Sequence, residues 1–270
     1  MSLNFAGLVP HPPIIIPEIG KDDTNKAADT TLAMRKLAHD FGEADIETLI
    51  IISPHGLTYP DRFNVSTMPK NFGAFSEFDA PNITFEYASD LELADQIIEA
   101  AEQENIKVVP YDNGGEFYEL DHGAIVPLFY LRTAQETSLK IIPISYSWLD
   151  RASHFSFGQV IGQVARNYPG RVGILASGDL SHHLLKGSAD DMAAGSAFDK
   201  KIVDDLKNYK PNDILYYEDD FVERAGECGY RSILILLGAL DGMTITPEIL
   251  SYEGPFGVGY CVANFKLPES

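Results

Sequence analysis

Two cysteines, Cys228 and Cys261, are the whole thiol content of the 270 residues. That is too few for a disulfide-stapled scaffold and reads as free thiols in a reducing compartment. Long apolar runs are missing too: stretches such as Ser232–Leu240 fall well short of the ~18 residues a membrane span requires, which excludes a membrane protein. Positive charge is scarce, with 20 Lys and Arg against 40 Asp and Glu for a net charge of −20. Such a field repels phosphate backbones and anionic lipid surfaces, so nucleic acid and membrane are not the expected partners. An anionic substrate would need a local cationic patch, and Arg231 and Lys186, each beside a motif discussed below, are the candidates. The opening Met1-Ser2-Leu3-Asn4-Phe5 has neither the basic start nor the small-residue cleavage site of a secretory signal. The apolar stretch after it is interrupted by Pro10, Pro12 and Pro13, so a cytoplasmic location is expected.

What is present is 45% hydrophobic residues, enough for one large core, so a single domain over residues 1–270 is the default. Short β-branched runs alternate with segments of helical period, the pattern of an α/β domain with a mainly parallel central sheet flanked by helices. Strands are expected at Phe5–Val9, Thr48–Ile52, Lys107–Val109, Lys140–Ser145 and Val172–Ala176. Ala94, Ile97, Ile98 and Ala101 make one apolar helix face, and Phe157, Val160, Ile161 and Val164 another. Ile245–Tyr252 and Val258–Phe265, around the turn-rich Glu253-Gly254-Pro255-Phe256-Gly257, read as a C-terminal hairpin or antiparallel edge. Pro54–Asn82 and Asp112–Asp121 read as loops.

The histidines carry the chemical signal. His11 follows the first strand in Val9-Pro10-His11-Pro12-Pro13, and His55 follows the second in Ser53-Pro54-His55-Gly56. A proline before each stiffens the loop and holds the imidazole at a strand's carboxyl edge. Either alone would pass for a strand-capping loop residue; two in equivalent places suggest a metal. His182 lies in a third strand-end loop, Ser177-Gly178-Asp179-Leu180-Ser181-His182-His183, and only one of its two adjacent histidines is expected to enter a site. His122 opens the helix Ala124–Leu131, with Asp121 as candidate N-cap. There the helix dipole favours a neutral hydrogen-bonding imidazole, although a plain surface residue fits as well. His39 and His154 read as surface residues.

These residues, with Ala225-Gly226-Glu227-Cys228-Gly229 and the ending Tyr252-Glu253-Gly254-Pro255-Phe256-Gly257-Val258-Gly259-Tyr260, resemble the ordered motif series of LigB-like class III extradiol dioxygenases. Among them, the chain looks most like the dioxygenase-like domain of AmmeMemoRadiSam-system proteins. The resemblance implies a non-haem Fe(II) held by His11, His55 and Glu227. It also implies His182 as acid–base group, His122 in the second sphere, and a small catechol-type aromatic and O2 as substrates. Cys228-Gly229-Tyr230-Arg231-Ser232-Ile233 also resembles the Memo branch, whose site has three histidines and a cysteine, which implies a zinc or copper alternative with hydrolytic or redox chemistry. A non-catalytic module that binds a partner through the same cleft is a third reading, and a homo-oligomer stays open. If the segment after Gly229 is a helix, Glu227 and Cys228 flank its start with side chains ~100° or more apart, so only one faces a metal. The dipole favours a carboxylate there and cysteine packs readily in a core, so Glu227 is the expected ligand.

Overall fold

The computed structural model describes residues 2–132 and 139–268. Its strands are β1 (Leu3–Val9), β2 (Thr48–Ser53), β3 (Phe63–Ser66), β4 (Lys70–Phe75), β5 (Ala80–Ala88), β6 (Val108–Tyr111), β7 (Phe117–Glu119), β8 (Lys140–Ser145), β9 (Val172–Ser177), β10 (Thr246–Glu253) and β11 (Tyr260–Lys266). The helices are α1 (Pro17–Gly20), α2 (Ala28–Glu43), α3 (Leu91–Gln103), α4 (His122–Leu131), α5 (Arg151–Asn167), α6 (Ala189–Lys207), α7 (Pro211–Leu215), α8 (Asp219–Ala225) and α9 (Tyr230–Ala239).

Eight strands form one sheet in the order β10-β11-β1-β9-β2-β8-β3-β6. Its centre, β1-β9-β2-β8, is parallel. The C-terminal strands β10 and β11 pair antiparallel and extend one edge through β1. The other edge is mixed, β3 running against β8 and alongside β6. This is the α/β architecture that the alternating pattern predicted. The central strands are apolar on both faces because both are covered. Ile50, Ile52, Ile174 and Ala176 enter one core, which the apolar faces of α3, α5, α6 and α9 complete. Leu49, Ile51 and Leu175 enter a second core under α2 and α4. Side-chain caps fix where several of these helices begin: Asp90 accepts from Leu93 N, Asp150 from Ser153 N, and Ser188 and Asp191 form a capping box.

Three expectations need correction. Pro54–Asn82 is not a loop throughout: it holds β3, β4 and the start of β5, and Asp112–Asp121 holds β7. Within β4 the alternation is inverted, with Asn71 fully buried and Phe72 partly exposed, so hydropathy hides the strand. The buried amide nitrogen donates to Ser89 Oγ at 2.8 Å and Ile141 O at 3.3 Å. His154 is fully buried rather than superficial, its Nδ1 donating to Asp150 O at 2.7 Å and its ring meeting Phe63 edge-on. Asp121 precedes α4 without capping it through its side chain, which instead accepts the Ser53 hydroxyl at 2.5 Å.

Candidate metal centre

The carboxyl ends of β1, β9, β2 and β8 lie side by side, and the last three of these strands each finish on a buried serine, Ser177, Ser53 and Ser145. This is the edge of an open parallel sheet where ligands usually bind. His11 leaves β1 through Pro10 and is buried there. Its backbone N–H donates to Asp179 Oδ1 at 2.9 Å, tying the β1 loop to the β9 loop. Its Nδ1 lies 2.9 Å from Ser177 Oγ, while the Ser177 hydroxyl lies 2.5 Å from Gly123 O. A serine carries one hydroxyl proton, and a carbonyl can only accept. Ser177 therefore donates to Gly123 O and accepts from His11, which puts the His11 proton on Nδ1 and leaves Nε2 a bare lone pair.

That lone pair faces two other donors. His55 Nε2 is 3.0 Å away and Cys228 Sγ 3.6 Å away. With metal–nitrogen bonds of about 2.0–2.1 Å and metal–sulfur bonds of about 2.3 Å, two imidazole nitrogens on one ion sit roughly 2.9–3.4 Å apart, and nitrogen and sulfur roughly 3.1–3.6 Å apart. The His11–His55 and His11–Cys228 spacings fit a shared cation, and the three donor atoms all lie within 4.8 Å of one another. His122 joins from the start of α4, its ring stacked on His55 with centroids 4.2 Å apart and lying 5.4 Å from that of His11. Phe78 closes that side, 5.9 Å from the His122 ring.

A second group shares the sulfur: donor atoms of Asp179, His182 and Cys228 all lie within 4.8 Å of one another. His182 Nε2 is buried with no hydrogen-bond partner among the described residues. Its neighbour His183 turns away and donates from Nδ1 to Arg224 O at 2.9 Å. The adjacent pair thus splits between site and surface, as their divergent side-chain directions predicted.

Glu227 belongs to neither donor group. Its Oε2 accepts from Tyr230 N, the first turn of α9, so the carboxylate caps the helix instead of facing His11 and His55. The residue next to it points the other way: Cys228 Sγ accepts from Asp179 N at 3.3 Å and meets the imidazoles. Of the two adjacent candidates, Cys228 is the one beside His11 and Glu227 the one bonded to the helix start. The dipole that makes a carboxylate favourable at this point is answered by a hydrogen bond to the helix itself.

Burial, together with the neighbouring histidine charges, holds His11 well below the ordinary imidazole range, and the same causes bring His55 down to about 4. Burial first also depresses His122 and His182. All four rings are neutral at pH 7, the form in which imidazole binds metals. Burial raises Asp179 and Glu227 each to about 7 and pushes the Cys228 thiol up. Burial thus penalises the charged forms of Asp179 and Cys228, which a cation between them would stabilise. Two contributors were passed over in the sequence, Asp179 and Ser177. Both stand in the Ser177–His182 stretch singled out for its histidine, but only the fold shows that they serve His11.

A family model described as "Catalytic LigB subunit of aromatic ring-opening dioxygenase" matches residues 6–263. "Protein CA_C1420" of Clostridium acetobutylicum is 37% identical over 272 residues, covering 98% of this chain and 58% of that protein. A "MEMO1 family protein" of Methanosarcina mazei is 27% identical over 150 residues, 56% of this chain and 50% of that one. The "3,4-dihydroxyphenylacetate 2,3-dioxygenase" of Escherichia coli is 24% identical over 149 residues, 53% of this chain and 52% of the enzyme. The chain thus spans between half and three-fifths of the length of these relatives. The crystal structure of uncharacterized protein JW3007 from Escherichia coli K12 superposes with a TM-score of 0.65 at 17% identity, covering 97% of this chain and 99% of that one, which establishes the shared fold.

Proposed function

The chain belongs to the LigB family, and from that footing we propose that it is a metal-dependent oxidoreductase whose single divalent ion is held by His11, His55 and Cys228, two of the three histidines and the cysteine that a Memo-branch site would use. The observation that supports this is the convergence of His11 Nε2, His55 Nε2 and Cys228 Sγ at 3.0 and 3.6 Å while Glu227 is engaged at α9. Two imidazoles and a thiolate form a borderline-soft donor set, suited to iron, copper or zinc and unsuited to magnesium or calcium. When bound, an iron or copper ion supplies Lewis acidity and one-electron chemistry.

The chain's own residues do the rest. Ser177 fixes the His11 tautomer, and Asp179 holds the His11 backbone. His182, whose buried Nε2 has no hydrogen-bond partner among the described residues, is the group that can take a proton from a substrate hydroxyl or return one. His122 stacks on His55, and Phe78 meets the His122 ring edge-on.

A second reading is extradiol ring opening of a catechol-type aromatic with O2 and Fe(II). The family description and the Escherichia coli dioxygenase relative favour it. Its usual carboxylate ligand would have to come from Glu227, which here faces the helix.

The test is a pair of conservative changes read by metal analysis and by oxygen uptake with a catechol panel. Cys228→Ser should remove most of the bound metal, and Glu227→Gln should leave metal content near that of the unaltered protein. The reverse result would restore the two-histidine, one-carboxylate site and the ring-opening reading with it.

A further inference from the structure

The C-terminal run Tyr252–Tyr260, which the sequence marks as a motif, supplies neither donor group of the metal centre and instead bonds the loop that carries His182. Leu180 N donates to Gly259 O and Gly259 N to Ser181 O, each at 2.8 Å, and Leu184 N donates to Gly257 O at 3.1 Å. His182 Nε2 has no partner among the described residues, whereas the residues on both sides of it are pinned. His183 N donates to Ser181 Oγ at 3.0 Å and its Nδ1 to Arg224 O at 2.9 Å.

Ser181 is fully buried and bonded at every polar atom. Its N donates to Asp199 Oδ1 at 2.8 Å, its Oγ donates to Ala225 O at 2.7 Å while accepting from His183 N, and its O accepts from Gly259 N. Three separate elements thus meet on one residue: α6 through Asp199, the end of α8 through Ala225, and the turn between β10 and β11 through Gly259. Asp199 joins two of them. Its second oxygen accepts the Tyr252 hydroxyl at 2.8 Å, so one buried carboxylate ties the His182 loop to β10. Two glycines show how closely the parts approach. A Cβ on Gly259 would lie 1.9 Å from Asp199 Oδ2, and one on Gly195, a turn earlier on α6, 2.3 Å from Ser181 Oγ.

We propose that Asp199 and Tyr252 are positioning residues for His182: acting through Ser181, they fix the stretch of backbone on which its imidazole stands. The proton-transfer role of His182 rests on the oxidoreductase reading above, but its placement by Asp199 does not. An imidazole that is to meet a substrate proton within hydrogen-bond reach has to be held before the substrate arrives, and a ring with no partner on Nε2 relies on its backbone and packing for that. The Tyr252 ring is exposed at the surface, so removing its hydroxyl alone leaves the core intact.

The experiment labels the folded protein, with and without Co(II), with diethyl pyrocarbonate at low extent and reads each histidine by peptide mass spectrometry. The reagent acylates a neutral imidazole nitrogen that solvent reaches, so the rate at His182 follows how often its loop opens. Tyr252→Phe should raise that rate about 2–10-fold, the worth of one hydrogen bond, and Asp199→Ala roughly 10–100-fold, because Ser181 N and the Tyr252 hydroxyl then lose their acceptor together. Asp199→Asn can still accept from Ser181 N and donate to the Tyr252 oxygen, and should stay within about twofold of the unaltered protein. His183 and the buried His154 serve as internal references, and Co(II) affinity should hold within about twofold in every variant. Unchanged labelling of His182 in Tyr252→Phe would overturn the proposal even if Asp199→Ala failed to fold. So would an equal rise at His154, which means general loosening, or a parallel loss of Co(II) affinity, which makes the pair a support of the whole centre. Asp199→Asn labelling as fast as Asp199→Ala would also overturn it, since charge and not bonding would then be the cause. Selective opening at His182 in a protein that takes up no oxygen with a catechol panel would leave the positioning standing and sink the proton-transfer reading alone.

Discussion

Removing the hydroxyl of Ser177 is the most direct probe of how the fold prepares the centre. Ser177→Ala leaves His11 in place, because Pro10, the bond from His11 N to Asp179 and the surrounding core still position it. It deletes the acceptor of Nδ1–H at 2.9 Å and the donor to Gly123 O at 2.5 Å. Two buried polar groups are orphaned, each costing about 1–3 kcal/mol. The larger consequence is chemical. With no acceptor on Nδ1, the ring is free to carry its proton on Nε2, where it blocks the lone pair aimed at His55 and Cys228. Outer partners of metal-ligating histidines are worth about 10–100-fold in metal affinity, or roughly 1.4–2.7 kcal/mol. Co(II) is a suitable probe, since a thiolate–cobalt bond gives a visible charge-transfer band. Competition with a chelator should show affinity falling by that factor, with the band still present at saturation. The reasoning is refuted if Ser177→Ala binds Co(II) within about twofold of the unaltered protein while its thermal stability drops, because the serine would then only fill space.

The remaining expectations address neighbouring parts of the same structure. His182→Phe should keep metal content near normal and lower any turnover by roughly 10²–10⁴-fold; loss of the metal instead would make His182 a ligand. Gly178→Ala should abolish stoichiometric metal binding, since a Cβ there would lie 2.1 Å from Gly229 Cα and force the Cys228 loop away from His11; a variant with full Co(II) occupancy would refute this. Asp199 is fully buried between Ser181 N and the Tyr252 hydroxyl, each 2.8 Å away, and burial raises it to about 6. Because its folded pKa lies above the ordinary value, its contribution is full below about pH 4 and is lost as pH rises through 6, by about 3 kcal/mol. Asp199→Asn should therefore melt higher than the unaltered protein at pH 8 and lose that advantage near pH 4; an advantage that instead grows as the pH falls would show the sign to be wrong.

The sheet was legible where burial and hydropathy agree. Thr48–Ser53 and Val172–Ser177 are covered on both faces, so their β-branched and aliphatic runs announce strands, and the helices between them show one apolar face each. It was illegible where they disagree. In Phe63–Ser66 the polar Asn64 and Ser66 are as buried as Phe63 and Val65, because the Asn64 amide reaches Leu57 O and the strand is enclosed by its neighbours. In Lys70–Phe75 the buried face carries Asn71 and Gly73 as well as Phe75. His154 was misplaced for a related reason: a histidine in a polar stretch looks superficial until the loop that folds back over it, Ser147 to Asp150, is known to supply its partners.

The convergence of the imidazoles was legible, and which of Glu227 and Cys228 stands beside them was not. His11 and His55 stand after successive parallel strands, and a parallel sheet brings such positions to one edge whatever the rest of the chain does. Glu227 and Cys228 are adjacent, so strand order cannot choose between them; the choice is made by how the chain enters α9. A carboxylate placed three residues before a helical N–H can satisfy that donor directly, and Glu227 does so with Tyr230. That bond rotates the following residue toward β9, where Asp179 N meets its sulfur. Helix capping and metal ligation compete for the same side chain, and the cap has an obligatory partner a few ångströms away while the metal has another donor at hand. The preference of anions for a helix start is answered here by the helix itself, which leaves the Cys228 thiol as the side chain facing His11.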